Sequence, residues 1–117
     1  MIHCKHGDIV LVHLGPRSSS AANGMTQPAL IISSETVNAN LQTIIVCPII
    51  DAKNVAQSRM GATLIPKEML GCETNRLVLS FHIMTVSKDR VLKRLGSLPP
   101  NYLHQIKESL QAVLSLD

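Results

Sequence analysis

Short stretches of β-branched and aliphatic residues recur through the first half of the chain, with polar or turn-forming residues between them. Residues 8–14, 28–33 and 43–50 have the sequences DIVLVHL, PALIIS and TIIVCPII. Residues of these types fit the pleated, half-buried surface of a sheet. We therefore predict three strands here and a short fourth strand at 62–66. Pro48 cannot donate to a strand ladder, so we expect a sheet edge or a bulge at this position.

Less polar and more polar positions alternate over residues 77–86, which predicts one further continuous strand. The predicted core face of this strand consists of Leu77, Leu79, Phe81 and Ile83. The opposite face carries Ser80 and His82, where a polar site could lie. Residues 88–98 are rich in Lys and Arg, and we expect a helical turn followed by a last strand. Residues 16–27 are predicted to form a long loop.

The spacing of apolar residues changes after two consecutive prolines near the C-terminus. Apolar side chains now recur every three or four positions, at Leu103, Ile106, Leu110 and Val113. This spacing predicts an amphipathic helix. Several strands followed by one helix favour an α+β fold over alternating α/β units. A chain of 117 residues fits one domain, so we predict a single domain over residues 1–117.

Composition narrows the possible functions. The chain is 45% hydrophobic and 16% charged, which is enough apolar material for a core and excludes a wholly disordered protein. Phe81 and Tyr102 are the only aromatic residues, so a surface that stacks nucleic-acid bases on aromatic rings is not expected. The net charge of +3 permits a phosphate-bearing partner but does not require one.

Neither a membrane segment nor a disulfide framework is predicted. The longest apolar run, residues 44–50, is far shorter than the roughly 20 residues that span a bilayer, and the N-terminus lacks a signal-peptide apolar region. We therefore expect a soluble, cytoplasmic protein. Cys4, Cys47 and Cys72 are widely spaced, which predicts reduced thiols, two of them buried, and no metal site or cofactor.

Five segments in order carry a resemblance to a known family. They are GDIVLVHLGP at 7–16, PALIIS at 28–33, IIVCPI at 44–49 after the Asn38 region, IMTVSKDR at 83–90 and LGSL at 95–98. In these segments and in the closing helix the chain resembles the MazF/PemK toxins of bacterial toxin-antitoxin pairs. The resemblance implies a small SH3-like β-barrel, a homodimer, and cleavage of single-stranded mRNA without a metal ion. It also implies a cognate antitoxin whose tail lies along the dimer groove, and contact with operator DNA only through that antitoxin.

The sequence departs from this family at the positions that the resemblance makes catalytic. Gln27 stands where the family places an arginine before the proline of the second strand, and Ile50 stands where the family has a threonine or serine. The Gln27 amide can donate hydrogen bonds to a phosphate but carries no charge. Phe81 and Met84 replace an acidic residue and an arginine that relatives often carry. The site is therefore either rebuilt or lost.

Other residues offer the missing chemistry. Arg17 could place a guanidinium on a phosphate, or it could be a solvated loop charge. His82 is suited to proton transfer near neutral pH, or it could be a histidine held by backbone at a dimer interface. We predict Arg17, His82 and Gln27 as catalytic residues. The residues predicted to bind RNA are Ser80, Ile50, Asp51 and Lys53.

The basic residues Lys88, Arg90, Lys93 and Arg94 fit a solvated, partly helical face better than an RNA contact, because Asp89 interrupts them. No Ser-His-Asp or metal-ligand spacing is visible. Three hypotheses remain open: a metal-independent endoribonuclease toxin, a catalytically degenerate homodimer that binds antitoxin or nucleic acid without cleaving, and an SH3-like interaction module. The first is favoured, since alternative site residues are available.

Overall fold

The computed structural model describes residues 3–15, 25–52 and 59–116. Within these ranges the chain forms seven strands, three α-helices and one 3₁₀ turn. The strands are β1 (Asp8–His13), β2 (Thr26–Ile31), β3 (Thr43–Asp51), β4 (Ala62–Ile65), β5 (Arg76–Leu79), β6 (Met84–Ser87) and β7 (Val91–Ser97). The helices are α1 (Glu35–Asn40), α2 (Lys67–Leu70) and α3 (Pro100–Leu114), and the 3₁₀ turn is Lys88–Arg90.

All strand pairs are antiparallel and follow the order β4-β5-β3-β2-β1-β7, with β6 also paired to β3. The long strand β3 pairs with β2 on one edge, and with β6 and then β5 on the other. The predicted α+β class with a C-terminal helix is confirmed. In the described part of the chain no pairing joins the outer strands β4 and β7, so the sheet is not closed.

The two largest hydrophobic clusters lie on opposite faces of the sheet because strand side chains alternate between its two faces. One face carries a cluster that includes Val10, Val12, Ala29, Ile31 and Val46. The other face carries Ile9, Leu30, Cys47, Ile49 and, from α3, the buried Ile106. Helix α3 therefore covers only the second face, with the apolar stripe that the sequence predicts.

Residues 77–86 do not form one strand, so that prediction is wrong. β5 ends at Leu79, and a turn over residues 80–83 separates it from β6. The turn reverses the predicted burial: Phe81 is 60% exposed, whereas Ser80 is fully buried. The buried Ser80 hydroxyl is satisfied because it donates to the carbonyl oxygen of Gly61 at 3.0 Å. His82 N donates to Leu79 O at 3.1 Å, which closes the turn.

Pro48, where a sheet edge or a bulge was predicted, lies in the central strand β3, and its pairing with β2 has no bulge. Ile45 O accepts a hydrogen bond from Ile32 N, so the odd-numbered backbone groups of β3 face β2. The backbone of Pro48 therefore faces the opposite edge. Pairing with β6 ends there at Val46 and pairing with β5 begins at Ile49, so no ladder donor is required from position 48.

The predicted loop at 16–27 is shorter at its C-terminal end, because β2 already begins at Thr26. Residues 16–24 lie outside the described residues. Helix α1 was not predicted by the hydrophobic pattern. It is capped by Ser34, whose hydroxyl accepts from Val37 N at 3.3 Å. Among the described residues, none of the helices has the length and apolar character needed to cross a membrane.

Candidate functional site

Gln27 completes the ladder between β2 and β3. Leu30 and Cys47 face each other in register, which makes Pro28 and Ile49 the next hydrogen-bonded positions along these strands. Pro28 has no N–H, so the carbonyl of the buried Ile49 lacks its backbone donor. The Gln27 side chain supplies that donor: its Nε2 lies 2.6 Å from Ile49 O and 3.1 Å from Pro28 O. The amide thus has a structural partner at the position where the resemblance implies catalysis.

Ile50 and Asp51 lie at the end of β3, beside the residue that Gln27 contacts. Ile50 is 38% exposed and offers only an apolar surface. Asp51 is exposed and lies opposite Arg76 of β5 in register. The structure therefore brings three sequence-predicted residues, Gln27, Ile50 and Asp51, to one end of the neighbouring strands β2 and β3.

Ser80 and His82 belong to the turn between β5 and β6. The Ser80 hydroxyl is within hydrogen-bond distance of Ser109 Oγ in α3 as well as Gly61 O, and its side chain has no exposed surface. It is therefore unavailable to RNA, so the assignment of Ser80 to RNA binding is corrected. His82 is exposed, and its ring stacks on Phe81 at a centroid distance of 6.5 Å. Arg17 and Lys53 lie outside the described residues.

An arginine that the sequence analysis did not single out lies near this end of β3. Arg76 lines a cavity of about 270 Å³, together with Pro28, Ile49, Met69 and Leu95. Within the described ranges no hydrogen bond or ion pair engages its guanidinium. A guanidinium in an apolar cavity is suited to a phosphate or carboxylate. In the sequence, the only feature that could have drawn attention to Arg76 is its position at the start of an apolar strand. The fold is needed to show that this arginine lines a cavity.

The cavity and the Gln27 side chain lie on opposite faces of the sheet. The Pro28 and Ile49 side chains share a face with Arg76, and strand alternation puts Gln27 and Ile50 on the other. His82 is not among the described residues that line the cavity. The arrangement therefore provides a cationic group on one face and a neutral amide on the other.

The basic run is largely engaged by the protein itself. Lys88 Nζ donates to the last turn of α1, and Arg90 Nη1 donates to two backbone carbonyls at the end of β1. Arg94 pairs with the buried Asp8 at 3.2 Å. The predicted solvated face is therefore wrong for Lys88 and Arg90, which are half-buried. Lys93 is exposed, as that prediction requires.

The three thiols are free, as predicted, and two are buried. Burial raises the pKa of Cys47 to about 12. Burial also raises the pKa of Cys4, although the nearby charge of Lys88 opposes the shift. In the part of the chain that the structure describes, no three His, Cys, Asp or Glu side chains come together to hold a metal ion.

Comparisons with known proteins give the family. Residues 5–114 match the family described as PemK-like, MazF-like toxins of type II toxin-antitoxin systems. The chain belongs to this family. This confirms the resemblance noted in the sequence and identifies the protein as a toxin of the type II class. The match includes β1 through α3, so Gln27 and Ile50 both lie within the matched range.

The relatives of this PemK/MazF-like chain include proteins of known name. It is 25% identical over 109 residues to endoribonuclease MazF6 of Mycobacterium tuberculosis and to endoribonuclease MazF2 of Mycobacterium bovis, with 93% of this chain and 95% of each relative covered.

Solved structures of this fold include MazE-MazF from Deinococcus radiodurans, with a TM-score of 0.77 at 19% identity, covering 99% of this chain and 100% of that one. A mycobacterial endoribonuclease in complex with its cognate antitoxin has a TM-score of 0.73 at 18% identity, covering 100% of this chain and 98% of that one. At these identities the structural likeness establishes the fold.

Proposed function

We propose that this PemK/MazF-like toxin is an endoribonuclease that cleaves single-stranded mRNA without a metal ion. The observation that carries the proposal is the family match over residues 5–114, together with relatives of nearly the same length that are named endoribonucleases. The described chain also contains an unpaired cation, Arg76, beside the strand ends that carry Gln27 and Ile50. A cation at such a position is suited to the negatively charged phosphodiester backbone of RNA.

The proposed reaction needs three functions. A base takes the proton of the ribose 2′-hydroxyl, and the 2′-oxygen then attacks phosphorus. A cation or strong donor stabilises the charge on the phosphorane oxygens. An acid donates a proton to the 5′-oxygen as the bond between phosphorus and that oxygen breaks. The products are a 2′,3′-cyclic phosphate and a 5′-hydroxyl.

We assign these functions to residues as follows. His82 transfers protons, since it is exposed and bears an imidazole. Arg17 stabilises the phosphorane, because Gln27 lacks a charge and its amide already donates to Ile49 O. Asp51, Ile50 and Lys53 contact the RNA near the end of β3. Arg76 holds a flanking phosphate in its cavity.

One observation favours a second candidate, a toxin-family protein that does not cleave. Gln27 Nε2 makes hydrogen bonds to two carbonyl oxygens of its own sheet, so the family's arginine position serves the fold here. Such a protein would keep the family's binding partners and lose the chemistry. Fold similarity alone does not fix activity.

The proposed partners are a cognate antitoxin and a second copy of this chain. Antitoxin binding is supported by solved structures of this fold that contain a cognate antitoxin or MazE. Operator DNA would be contacted only through the antitoxin. The cytoplasm is the proposed location, because the RNA substrate is found there.

The deciding experiment incubates the purified protein with a long single-stranded RNA in EDTA and maps the new ends. Cleavage that leaves 2′,3′-cyclic phosphates and survives chelation is expected. Activity that appears only with magnesium would overturn the metal-independent mechanism. An inactive parent that becomes active as Gln27→Arg would instead establish the second candidate.

Variants then test the assigned residues on one defined RNA. Arg17→Ala and His82→Ala should each lower the rate by about 10² to 10³, which is typical when a group that stabilises the transition state is removed. Gln27→Ala should have a smaller effect on the rate. Lys107→Ala is the matched control, because it removes an exposed charge on α3. Parental rates in both the Arg17 and His82 variants would refute the assignment.

A further inference from the structure

Arg90 connects the 3₁₀ turn before β7 to the end of β1. The last register pair between β1 and β7 is Val12 with Val91, so the backbone ladder stops there. Beyond it, Arg90 Nη1 donates to His13 O and to Gly15 O, each at 2.8 Å. A single side-chain nitrogen thus continues the ladder past the point where the two backbones separate.

The two carbonyls belong to the base of the β1–β2 hairpin. Leu14 N donates to Met25 O at 2.9 Å on the other edge of this segment, so His13 and Gly15 flank a cross-strand bond. Two register pairs further along, Val12 lies opposite Gln27. Arg90 therefore holds one side of the hairpin base, while strand β2, with Gln27, forms the other.

The proposed function has RNA contact Ile50 and Asp51 at the end of β3, and the Gln27 end of β2 is bonded to the neighbouring Ile49 O. The inference rests on that function. We propose that Arg90 is a positioning residue for RNA cleavage, because it fixes the end of β1 against which the Gln27 end of β2 is registered. It acts through the backbone and does not touch RNA. Both hydrogens of its Nη1 are donated to the protein, and the side chain is half-buried.

The geometry suggests a matched pair of variants. Both carbonyls accept from the same nitrogen, so a lysine ammonium, which carries three donors on one atom, can serve both of them. Methionine has a comparable length and no donor. Arg90→Met should lower kcat by about 10- to 100-fold, because a displacement of about 1 Å near reacting groups can cost 10²-fold. The kcat of Arg90→Lys should stay within about fivefold of the parental kcat. The kcat of the control variant Lys107→Ala should equal the parental value.

Two further measurements separate positioning from phosphate binding and from general damage. If Arg90 contacted a phosphate, its replacement would raise KM and reduce the salt dependence of RNA binding. If Arg90 only positions the backbone, its replacement leaves KM and the salt dependence near the parental values. Amide exchange at Leu14, whose N–H closes the hairpin base, should become faster in Arg90→Met and not in Arg90→Lys.

Each outcome bears on the proposal. A parental kcat in Arg90→Met overturns it, and so does a loss expressed mainly in KM with a changed salt slope. Equal loss in Arg90→Lys and Arg90→Met also overturns it, because the lysine keeps the donors. If the parent does not cleave RNA, the proposed function fails, and unchanged exchange at Leu14 would then refute the Arg90 contact separately.

Discussion

Gln27 and Arg90 both donate hydrogen bonds at points where a strand ladder lacks a backbone N–H. Gln27 replaces the donor that Pro28 cannot provide, and Arg90 continues the β1–β7 ladder past its last pair. A buried carbonyl without a donor costs about 1–3 kcal/mol. Side chains at these two positions are therefore constrained by the sheet before any demand of catalysis is considered.

This role of Gln27 predicts a stability change. Gln27→Ala should lower the free energy of unfolding by about 1–3 kcal/mol, because Ile49 O loses its donor. Adding Pro28→Val restores a backbone N–H at the same ladder position and should recover part of the loss. Thermal and urea unfolding of the two variants and the parent measure the effect.

The single variant Pro28→Val separates the contribution of a backbone N–H at position 28 from that of the Gln27 amide. It should be tolerated, because the restored N–H and the Gln27 amide then compete for the same acceptor. If Gln27→Ala is as stable as the parent, or if Pro28→Val destabilises equally with and without Gln27, the amide does not replace a ladder donor.

The burial and pKa of the cysteines predict the order in which they are alkylated. The pKa of Cys47 is raised to about 12, so at pH 8 almost none of it is the nucleophilic thiolate, and burial blocks access as well. Cys72 is only half-buried. Native protein treated with iodoacetamide at pH 8 should therefore be alkylated at Cys72 well before Cys47. Peptide mass spectrometry measures the order, with urea-unfolded protein as the control, and equal rates in the native state would contradict it.

At the residue scale the sequence could identify positions but not partners. The resemblance identified Gln27 and Ile50 as site positions, and the structure places them at neighbouring ends of β2 and β3. The bond from Gln27 to Ile49 O depends on the register of β2 against β3, which no local pattern specifies. Arg76 was missed for the same reason, since its cavity is built from residues of six different elements.

Helix α1 is attached to the sheet by a buried polar network. Ser33 Oγ donates to Asn38 Oδ1 at 2.5 Å and accepts from Ile45 N at 3.1 Å, while Asn38 Nδ2 donates to Ser33 O at 3.0 Å. Only six residues form this helix, too few to be stable alone. The network therefore determines whether the element forms.

The network predicts a contrast between two asparagines of α1. Asn38→Ala should destabilise the protein by about 1–3 kcal/mol, because buried partners lose their hydrogen bonds. Asn40→Ala, at an exposed position in the same helix, should change stability by less than about 0.5 kcal/mol. Chemical denaturation of both variants measures the difference, and similar losses would mean that helix propensity, not the network, is responsible.

At the element scale, periodicity predicted α3 and most strands but failed at residues 77–86. A period of two is compatible with one long strand and equally with two short strands joined by a turn of even length. Pairing with β3 determines that two short strands form, because β5 and β6 each pair with a different part of the same edge of β3. The basic run was misinterpreted similarly, because the carbonyls that Lys88 and Arg90 bind are distant in sequence.

The whole molecule is predicted to be a homodimer. Large apolar side chains remain exposed on the described surface, among them Leu14, Met25, Met60, Phe81 and Leu95. Exposed apolar surface of this extent is typical of interaction sites, and two-fold dimers are the commonest assembly. Light scattering at micromolar concentration should give about twice the chain mass, and a 12.7 kDa species would contradict the prediction.

The position of β1 determines when the molecule can be completed during its synthesis. This first strand lies between β2 and the last strand, and its register reaches from Asp8 to Ser97. A nascent chain therefore cannot finish its sheet until β7 has left the ribosome, although β1 and β2 can already pair. Arg90 reaches the end of β1 only at the same late stage. For a toxin made beside the machinery of translation, assembly is thus delayed until synthesis is nearly over.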